Sequence, residues 1–342
     1  MRITIVTDAW TPQVNGVVRT LTTTVDHLRM LGHVVHVIEP TGMPSWPCPG
    51  YAEIRIARWP QQRVAEGLSE FKPDAIHIAT EGPLGWAARR WCLHNDQPFT
   101  TSCHTRFPEY LRMRAPVPMN WTYAALRRFH QPAARTMVRS PSQWRDLASR
   151  GFNALCLWPG AVDTQLFRPR PRSTAGQSKA SPTALYVGRV AREKSIEDFL
   201  LAPFDGDKVV VGDGPHRQTL AAKYPDVAFI GYRHGEDLAE CVAAADVFVF
   251  PSKTDTLGLV MLEAMACGVP VAAYPVPGPV DVVLHEETGF LHWDLSVAMR
   301  EAMKIDPVAC RTFALANSWE AATQRFTELL VTDESEVTQA AA

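Results

Sequence analysis

Two doubly wound α/β domains are the fold class this sequence predicts, on three observations. Short β-rich runs recur with helix-length intervals between them, and several are apolar on both faces, as in ITIV and VVHVI, which suits parallel strands buried under helices. The pattern breaks at RPRPRSTAGQSKASP, residues 168–182, and then restarts; Pro, Ser, Arg and Lys give that stretch the character of a linker. A chain of 342 residues, 46% hydrophobic and 20% charged, is long enough for two cores.

Taken in order, the first domain, residues 1–167, is expected to hold strands at Ile3–Asp8, Val34–Glu39, Glu53–Ala57, Ala75–Ala79, Phe99–His104, Thr136–Ser140 and Leu155–Trp158. Asn15-Gly16 makes a turn before a helix from Val17. The second domain, 183–310, is expected to hold strands at Ala184–Val187, Lys208–Val211, Val227–Ile230, Val247–Phe250, Val271–Tyr274 and Phe290–His292. A C-terminal helical segment, 311–331, should return to the first domain; within it SWEAATQRFTELL starts on an N-cap Ser318 and repeats apolar groups at helical spacing. The polar tail 332–342 should be frayed. Ligands of such sheets bind beyond the carboxyl ends of the strands, so two facing domains are expected to enclose a cleft.

Composition narrows the function. The most apolar segments, 242–250 and 257–275, are broken by Asp246, Glu263, Gly268 and Pro270, and no run approaches the roughly 18 apolar residues of a spanning helix. MRITIVTDAW lacks the apolar core of a signal peptide, which predicts a cytoplasmic protein. Seven scattered cysteines (48, 92, 103, 156, 241, 267, 310) without a C-x-x-C read as reduced core residues. The net charge is −2, yet residues 106–150 carry nine Arg against Glu109 and Asp146, so this segment is +7 and the remainder −9.

Four segments could carry chemistry. In FPSKTDTLGLVMLEAMACGVPV, residues 250–271, a buried strand ends in a polar loop and a helix begins near Leu257 or Gly258. The amides of Gly258, Leu259 and Val260, with the positive end of the helix dipole, suit a diphosphate. Asp255 precedes that anion site and Glu263 follows eight residues later, a span of about 10 Å that two hydroxyl-bearing sugars joined through a diphosphate would fill. The same pattern fits an acid placed for the helix dipole plus a solvated Glu. In LYVGRVAREK, residues 185–194, a strand runs into Gly188 and then offers Arg189 and Lys194, two cations that could cover both phosphates of a leaving group or be ordinary solvated charges. The chain contains no G-x-G-x-x-G, and Glu193 stands where a Walker loop needs Gly. PQVNGVVR, residues 12–19, places Gly16 where backbone could approach a ligand, or is a simple βα turn. SCHTRFPEY, residues 102–110, puts His104 at the carboxyl end of a strand, although a core or surface histidine is the default for a lone His.

Together these segments resemble glycosyltransferase family four, the retaining GT-B enzymes, over most of the chain. The family's E-x7-E donor motif matches Asp255 and Glu263 in TDTLGLVMLEAMACGVPV, with Asp in place of the first Glu; VTDAWTPQVNGVVRTL resembles its N-terminal glycine loop and CHTRFPEY its active-site histidine segment. The resemblance implies that Glu263 holds the donor ribose and Asp255 the transferred hexose. It assigns the diphosphate to the amides of 258–260 with Arg189 and Lys194, and places Gly16 near the β-phosphate and His104 at the sugar. A narrower similarity, in TDAWTPQVNGVVRT and CHTRFPEY, is to bacterial diacylglycerol glycosyltransferases and related mannosyl- and sulfoquinovosyltransferases.

The implied activity is retaining transfer of a hexose from a nucleotide-diphosphate sugar, UDP-sugar favoured, to a hydroxyl of a membrane lipid such as diacylglycerol. Arg189 and Lys194 would stabilise the leaving group, with no cofactor and no required metal, since the two cations do what Mg²⁺ would do elsewhere. GDP-mannose-dependent transfer to another glycolipid or glycan is the alternative; a nucleotide-sugar epimerase and a basic protein that binds membrane or nucleic acid stand further off. In PVPMNWTYAALRRFHQPAAR the residues Trp121, Tyr123, Ala124, Leu126 and Phe129 interleave with Arg127 and Arg128, as in a helix lying among lipid headgroups or in one whose apolar stripe faces a core. With Arg112 and Arg114 this segment is the expected surface for an anionic membrane, holding the enzyme peripherally on the inner face of the cell membrane, with no nucleic-acid partner.

Overall fold

The computed structural model describes the chain except for residues 14–15, 49–50, 105–107, 109–116, 172–180, 254, 256 and 333–342. It forms two compact units, Met1–Pro159 with Ala322–Ala342, and Gly160–Ala321.

The first unit runs β1 (Arg2–Val6), α1 (Gly16–Met30), β2 (Val34–Ile38), β3 (Ser45–Cys48), β4 (Tyr51–Ala57), α2 (Gln61–Phe71), β5 (Ala75–Ile78), α3 (Pro83–His94), β6 (Thr100–Cys103), α4 (Met119–His130), β7 (Arg135–Val138), α5 (Pro141–Ser149) and β8 (Leu155–Leu157). Six strands form a parallel sheet in the order β2-β1-β5-β6-β7-β8. Residues of β1, β5 and β6 are almost wholly buried, because helices cover both faces of such a sheet. Helix α1 supplies one cover: Val18, Leu21, Val25 and Leu28 are buried at spacings of three and four. The expected strand Glu53–Ala57 lies elsewhere, in β4, which pairs antiparallel with β3 as a separate two-stranded ribbon. The alternation in EIRIA fits a strand with one wet face rather than one sandwiched between helix layers.

The second unit runs β9 (Thr183–Val187), a 3-10 turn (Arg192–Lys194), α6 (Ile196–Leu201), β10 (Asp207–Val211), α7 (Arg217–Lys223), β11 (Ala228–Gly231), α8 (Gly235–Ala243), β12 (Val247–Phe250), α9 (Leu259–Ala266), β13 (Val271–Ala273), α10 (Pro279–Val282), β14 (Gly289–Leu291), α11 (Leu295–Ala302) and α12 (Pro307–Ala316), and α13 (Trp319–Leu329) begins at its end and continues into the first unit. Its six parallel strands are ordered β11-β10-β9-β12-β13-β14. In each sheet the strand order reverses once, beside the first strand: between β1 and β5, and between β9 and β12.

Where the units divide differs from residue 167. Gly160 onward belongs to the second unit because Phe167 is buried in its core, Val162 N–H donates to Asn317 O at 3.1 Å, and Arg311 donates to Phe167 O and Thr164 O at 2.8 and 3.0 Å. Those bonds keep α12 in the second unit too. Ser318 Oγ accepts the N–H of Ala321 at 3.2 Å as α13 starts. From Ala322 the chain is part of the first unit, where Phe326, Leu329 and Leu330 pack with Ile3, Ile5 and Leu28.

Six described cysteines carry free thiols, and burial pushes those of Cys92, Cys267 and Cys310 up to about 12. Among the described residues no helix is long and apolar enough to cross a membrane.

Candidate functional site

Open α/β sheets bind ligands at the carboxyl ends of the strands where the order reverses. In the second unit that point lies between β9 and β12, and the two loops leaving those strands carry the residues singled out from the sequence. After β9 come Arg189, exposed, and Lys194 at the end of the 3-10 turn. After β12 comes Asp255, and Lys194 Nζ donates to its Oδ1, joining positions 61 apart in the chain. An ammonium has three N–H donors, so this bond leaves others to meet a ligand.

Helix α9 then starts at Leu259 with Gly258 as its cap. The first helical bond on this side runs from Met261 N to Gly258 O at 2.9 Å, so the amides of Gly258, Leu259 and Val260 precede the helical ladder. Gly258 has φ +73°, and a Cβ there would lie 2.8 Å from both Phe250 Cζ and Met261 Cε; the tight turn from strand to helix needs glycine. Glu263, on α9, is 4% exposed. It is not the solvated glutamate that its spacing alone also allowed, since a carboxylate buried to that degree needs polar partners.

One feature of this loop cluster went unnoticed in the sequence. Gly212 follows β10, and a Cβ on it would stand 2.0 Å from Gly188 O, so the exit of β10 lies directly on the exit of β9. The signal was G-D-G in VVVGDGPH, directly after an apolar strand.

In the first unit the reversal falls between β1 and β5. Asp8, just past β1, accepts the Leu84 amide at 2.9 Å on Oδ1 and the Thr80 hydroxyl at 2.9 Å on Oδ2, which ties the β1 exit to the start of α3. Burial raises its pKa, against the lowering effect of these bonds. Gly16 opens α1, and among the described residues a Cβ there would meet nothing within 4 Å, whereas the space over Gly258 is filled. Asn15, the other half of the turn, lies outside the described residues.

His104, half-buried, follows β6 and joins a chain of polar groups that runs into the core. Its Nε2 lies 2.8 Å from Ser102 Oγ, which lies 3.1 Å from His77 Nε2, whose Nδ1 is 2.9 Å from Thr100 Oγ1. Burial pulls the His77 pKa down to about 3; burial first, then the charge of Arg139 and His77, holds His104 well below the ordinary imidazole value. Both rings are therefore neutral near pH 7. His77 and Ser102 carry no sequence signal of their own, since nothing in a strand pattern says which buried polar residues align.

Glu81, Cys103 and His130 also meet in this unit, with potential ligand atoms within 4.8 Å of one another. His130 Nε2 is already 3.2 Å from Glu81 Oε1, and its Nδ1 is 2.9 Å from Thr101 Oγ1, so the imidazole is satisfied without an ion.

The expected membrane-facing segment divides. On α4, Thr122, Tyr123, Leu126, Phe129 and His130 are buried, and Tyr123, Leu126 and Phe129 belong to core clusters, so most of the stripe faces inward. Trp121 is 73% exposed, and Arg127 and Arg128 are exposed as well. Arg127 donates to Arg150 O at 3.0 Å. Arg112 and Arg114 lie outside the described residues.

Residues 14–166 match the model of Glycosyltransferase Family 4, and residues 181–304 that of Glycosyl transferases group 1. A GDP-mannose-dependent alpha-mannosyltransferase of Mycobacterium tuberculosis is 30% identical over 85% of this chain and 83% of its own. The sulfoquinovosyl transferase SQD2 of Arabidopsis thaliana is 32% identical over 73% of this chain; the match spans about half of that relative's length (52%). Among solved structures, sucrose-phosphate synthase from Thermosynechococcus elongatus superposes with a TM-score of 0.71 at 23% identity, covering all of both chains. Anabaena HepE in complex with UDP gives 0.72 at 16%, covering 96% of this chain and 99% of its own. With two Rossmann-like parallel-sheet domains and this kinship along its length, the chain is a GT-B protein and belongs to glycosyltransferase family four.

Proposed function

We propose that this glycosyltransferase moves a hexose from a nucleoside-diphosphate sugar to an acceptor hydroxyl with retention at the anomeric carbon. The observation that carries the reading is the meeting of Lys194 with Asp255 at the β9/β12 reversal, beside the start of α9. Lys194, Arg189 and the amides of Gly258, Leu259 and Val260 supply counter-charge for a departing diphosphate. Asp255 accepts from hexose hydroxyls and Glu263 from the ribose, while Gly16 gives room at the β-phosphate and neutral His104 orients the sugar. The new bond forms between acceptor oxygen and anomeric carbon as the bond to the diphosphate breaks on the same face, and the acceptor proton passes to the departing phosphate oxygen. Positioning and charge stabilisation account for the rate without a covalent nucleophile or a required metal.

The acceptor we favour is a membrane lipid such as diacylglycerol, met by an enzyme peripheral to the inner face of the cell membrane, and a UDP-sugar is the favoured donor. The lipid is supported by a relative of 28% identity over 90% of this chain, the alpha-monoglucosyldiacylglycerol synthase of Streptococcus pneumoniae; the donor base is supported by the UDP bound to HepE. The name of the mycobacterial relative favours a second reading, transfer from GDP-mannose.

The test is transfer from a panel of UDP- and GDP-sugars in excess EDTA. Wild type should remain active there, and Lys194→Ala and Glu263→Gln should each lose on the order of 10- to 100-fold in kcat/KM, the worth of a charge-assisted contact. Unchanged kcat/KM in both variants removes the site assignment, and activity restored only by Mg²⁺ or Mn²⁺ removes the metal-free leaving-group chemistry.

A further inference from the structure

The end of β7 carries a guanidinium with no evident purpose in the fold. Arg139 is 8% exposed. Its backbone N–H donates to Gln143 Oε1 at 2.8 Å, and its Cζ stands 4.5 Å from the centre of the Trp158 ring. Nη1 is buried and meets neither carboxylate nor carbonyl among the described residues. Burial lowers the guanidinium to about 10, so it stays charged near pH 7. Buried polar groups are almost always hydrogen-bonded, and a buried charge left without a partner opposes folding. Stacking on an indole supports the face of a guanidinium but leaves its in-plane N–H fork unused.

The position narrows what the missing partner is. Cys103 and Val138 are register partners on β6 and β7, so His104 and Arg139 leave neighbouring strands at the carboxyl edge, where ligands of such sheets bind. Both pack on Trp158, the His104 ring at 5.7 Å and Arg139 at 4.5 Å. A planar fork of N–H donors matches the oxygens of phosphate, sulfonate or carboxylate. We infer that Arg139 is the residue of the first domain that takes up a substrate oxyanion, holding it beside His104. The inference rests on the reading that substrate binds at these strand ends. The oxyanion comes either from the donor's diphosphate or from an anionic acceptor, and the two sources share one recognition chemistry.

The experiment compares wild type, Arg139→Met and Arg139→Lys by thermal denaturation and by calorimetric titration with UDP, GDP, inorganic pyrophosphate and glycerol 3-phosphate, with glycerol as the neutral control. Lys194→Ala runs in parallel. Arg139→Met should keep or raise Tm, because an unpaired buried charge is exchanged for an apolar side chain of similar length. It should weaken at least one anion on the order of 10- to 100-fold while Arg139→Lys keeps part of the affinity. Weakened UDP, GDP or pyrophosphate marks the donor as source; weakened glycerol 3-phosphate marks the acceptor. A lower Tm or failure to fold in Arg139→Met overturns the inference in favour of a structural cation, as does unchanged affinity for every anion, or a wild type that takes up none of them. Lys194→Ala separates the two readings: loss of UDP there while Arg139→Met binds every anion as wild type does overturns only this inference, and the reverse result overturns only the donor site on the second domain.

Discussion

Two glycines stand at helix starts and answer opposite needs. Gly258 has positive φ and packed neighbours where its Cβ would be, while Gly16 faces open space. Replacing Gly258 by Val should therefore destabilise the second unit by about 1–3 kcal/mol or more, from backbone strain and contact with Phe250 and Met261, read as a lower Tm. Gly16→Val should leave Tm near that of wild type, because no described atom stands within 4 Å of the added Cβ, yet depress transfer if the donor's β-phosphate approaches there as proposed. A Gly16→Val enzyme with full kcat/KM would return that segment to a plain βα turn. Glu263 illustrates how far single residues are legible. Its spacing from Asp255 marks it as a candidate, but burial at 4% exposure depends on which face α9 turns inward, and LVMLEAMA is apolar nearly all round, so periodicity gives no orientation. Arg139 was hidden for a related reason: in sequence it is one of nine arginines in a basic segment.

At the scale of elements, the strands of both parallel sheets were legible because continuous apolar runs such as VVHVI and VFVF have few other uses between helix-length spacers. The β3/β4 ribbon was not, since SWPC contains a proline and reads as loop. The contact of Lys194 with Asp255 was equally out of reach, because it depends on β9 and β12 lying side by side, which strand order decides and local pattern does not. Helix α4 shows the same ambiguity resolved: its buried stripe of Tyr123, Leu126 and Phe129 leaves Trp121, Arg127 and Arg128 outside. If that outer face meets anionic lipid, each arginine contributes about 1 kcal/mol near the surface. Trp121→Ser with Arg128→Ser should then reduce co-sedimentation with phosphatidylglycerol vesicles by roughly an order of magnitude at low salt. The wild-type protein should itself release as salt rises. Binding indifferent to lipid charge, or equal in the variant, would point away from this helix as the docking face.

At the scale of the whole molecule, the last helix belongs to the first unit. Phe326, Leu329 and Leu330 lie in the same core as Ile3, Ile5 and Trp158, and Trp158 Nε1–H donates to Ala322 O at 3.1 Å. Three large apolar side chains at about 1.5–3 kcal/mol each amount to much of the roughly 5–15 kcal/mol by which a domain is stable. A chain ended after Ser318 should therefore lose the first unit's cooperative melting while the second still unfolds as a unit, measurable by calorimetry and by protease cleavage confined to the first 159 residues. A synthetic peptide of residues 319–332 added in excess should restore part of the transition. Intact melting of both units in the shortened chain would mean that the helix only decorates the sheet.

The return of α13 also sets a timetable for biosynthesis. A ribosome releases the strands and helices of the first unit before those of the second, but the segment that closes their core emerges only after every residue of the second unit. Domains made in sequence ordinarily mature in sequence. Here the first must wait, with Ile3 and Ile5 lacking part of their cover, until the second has been made. An interrupted message yields a nascent first half that chaperones and proteases can recognise as unfinished.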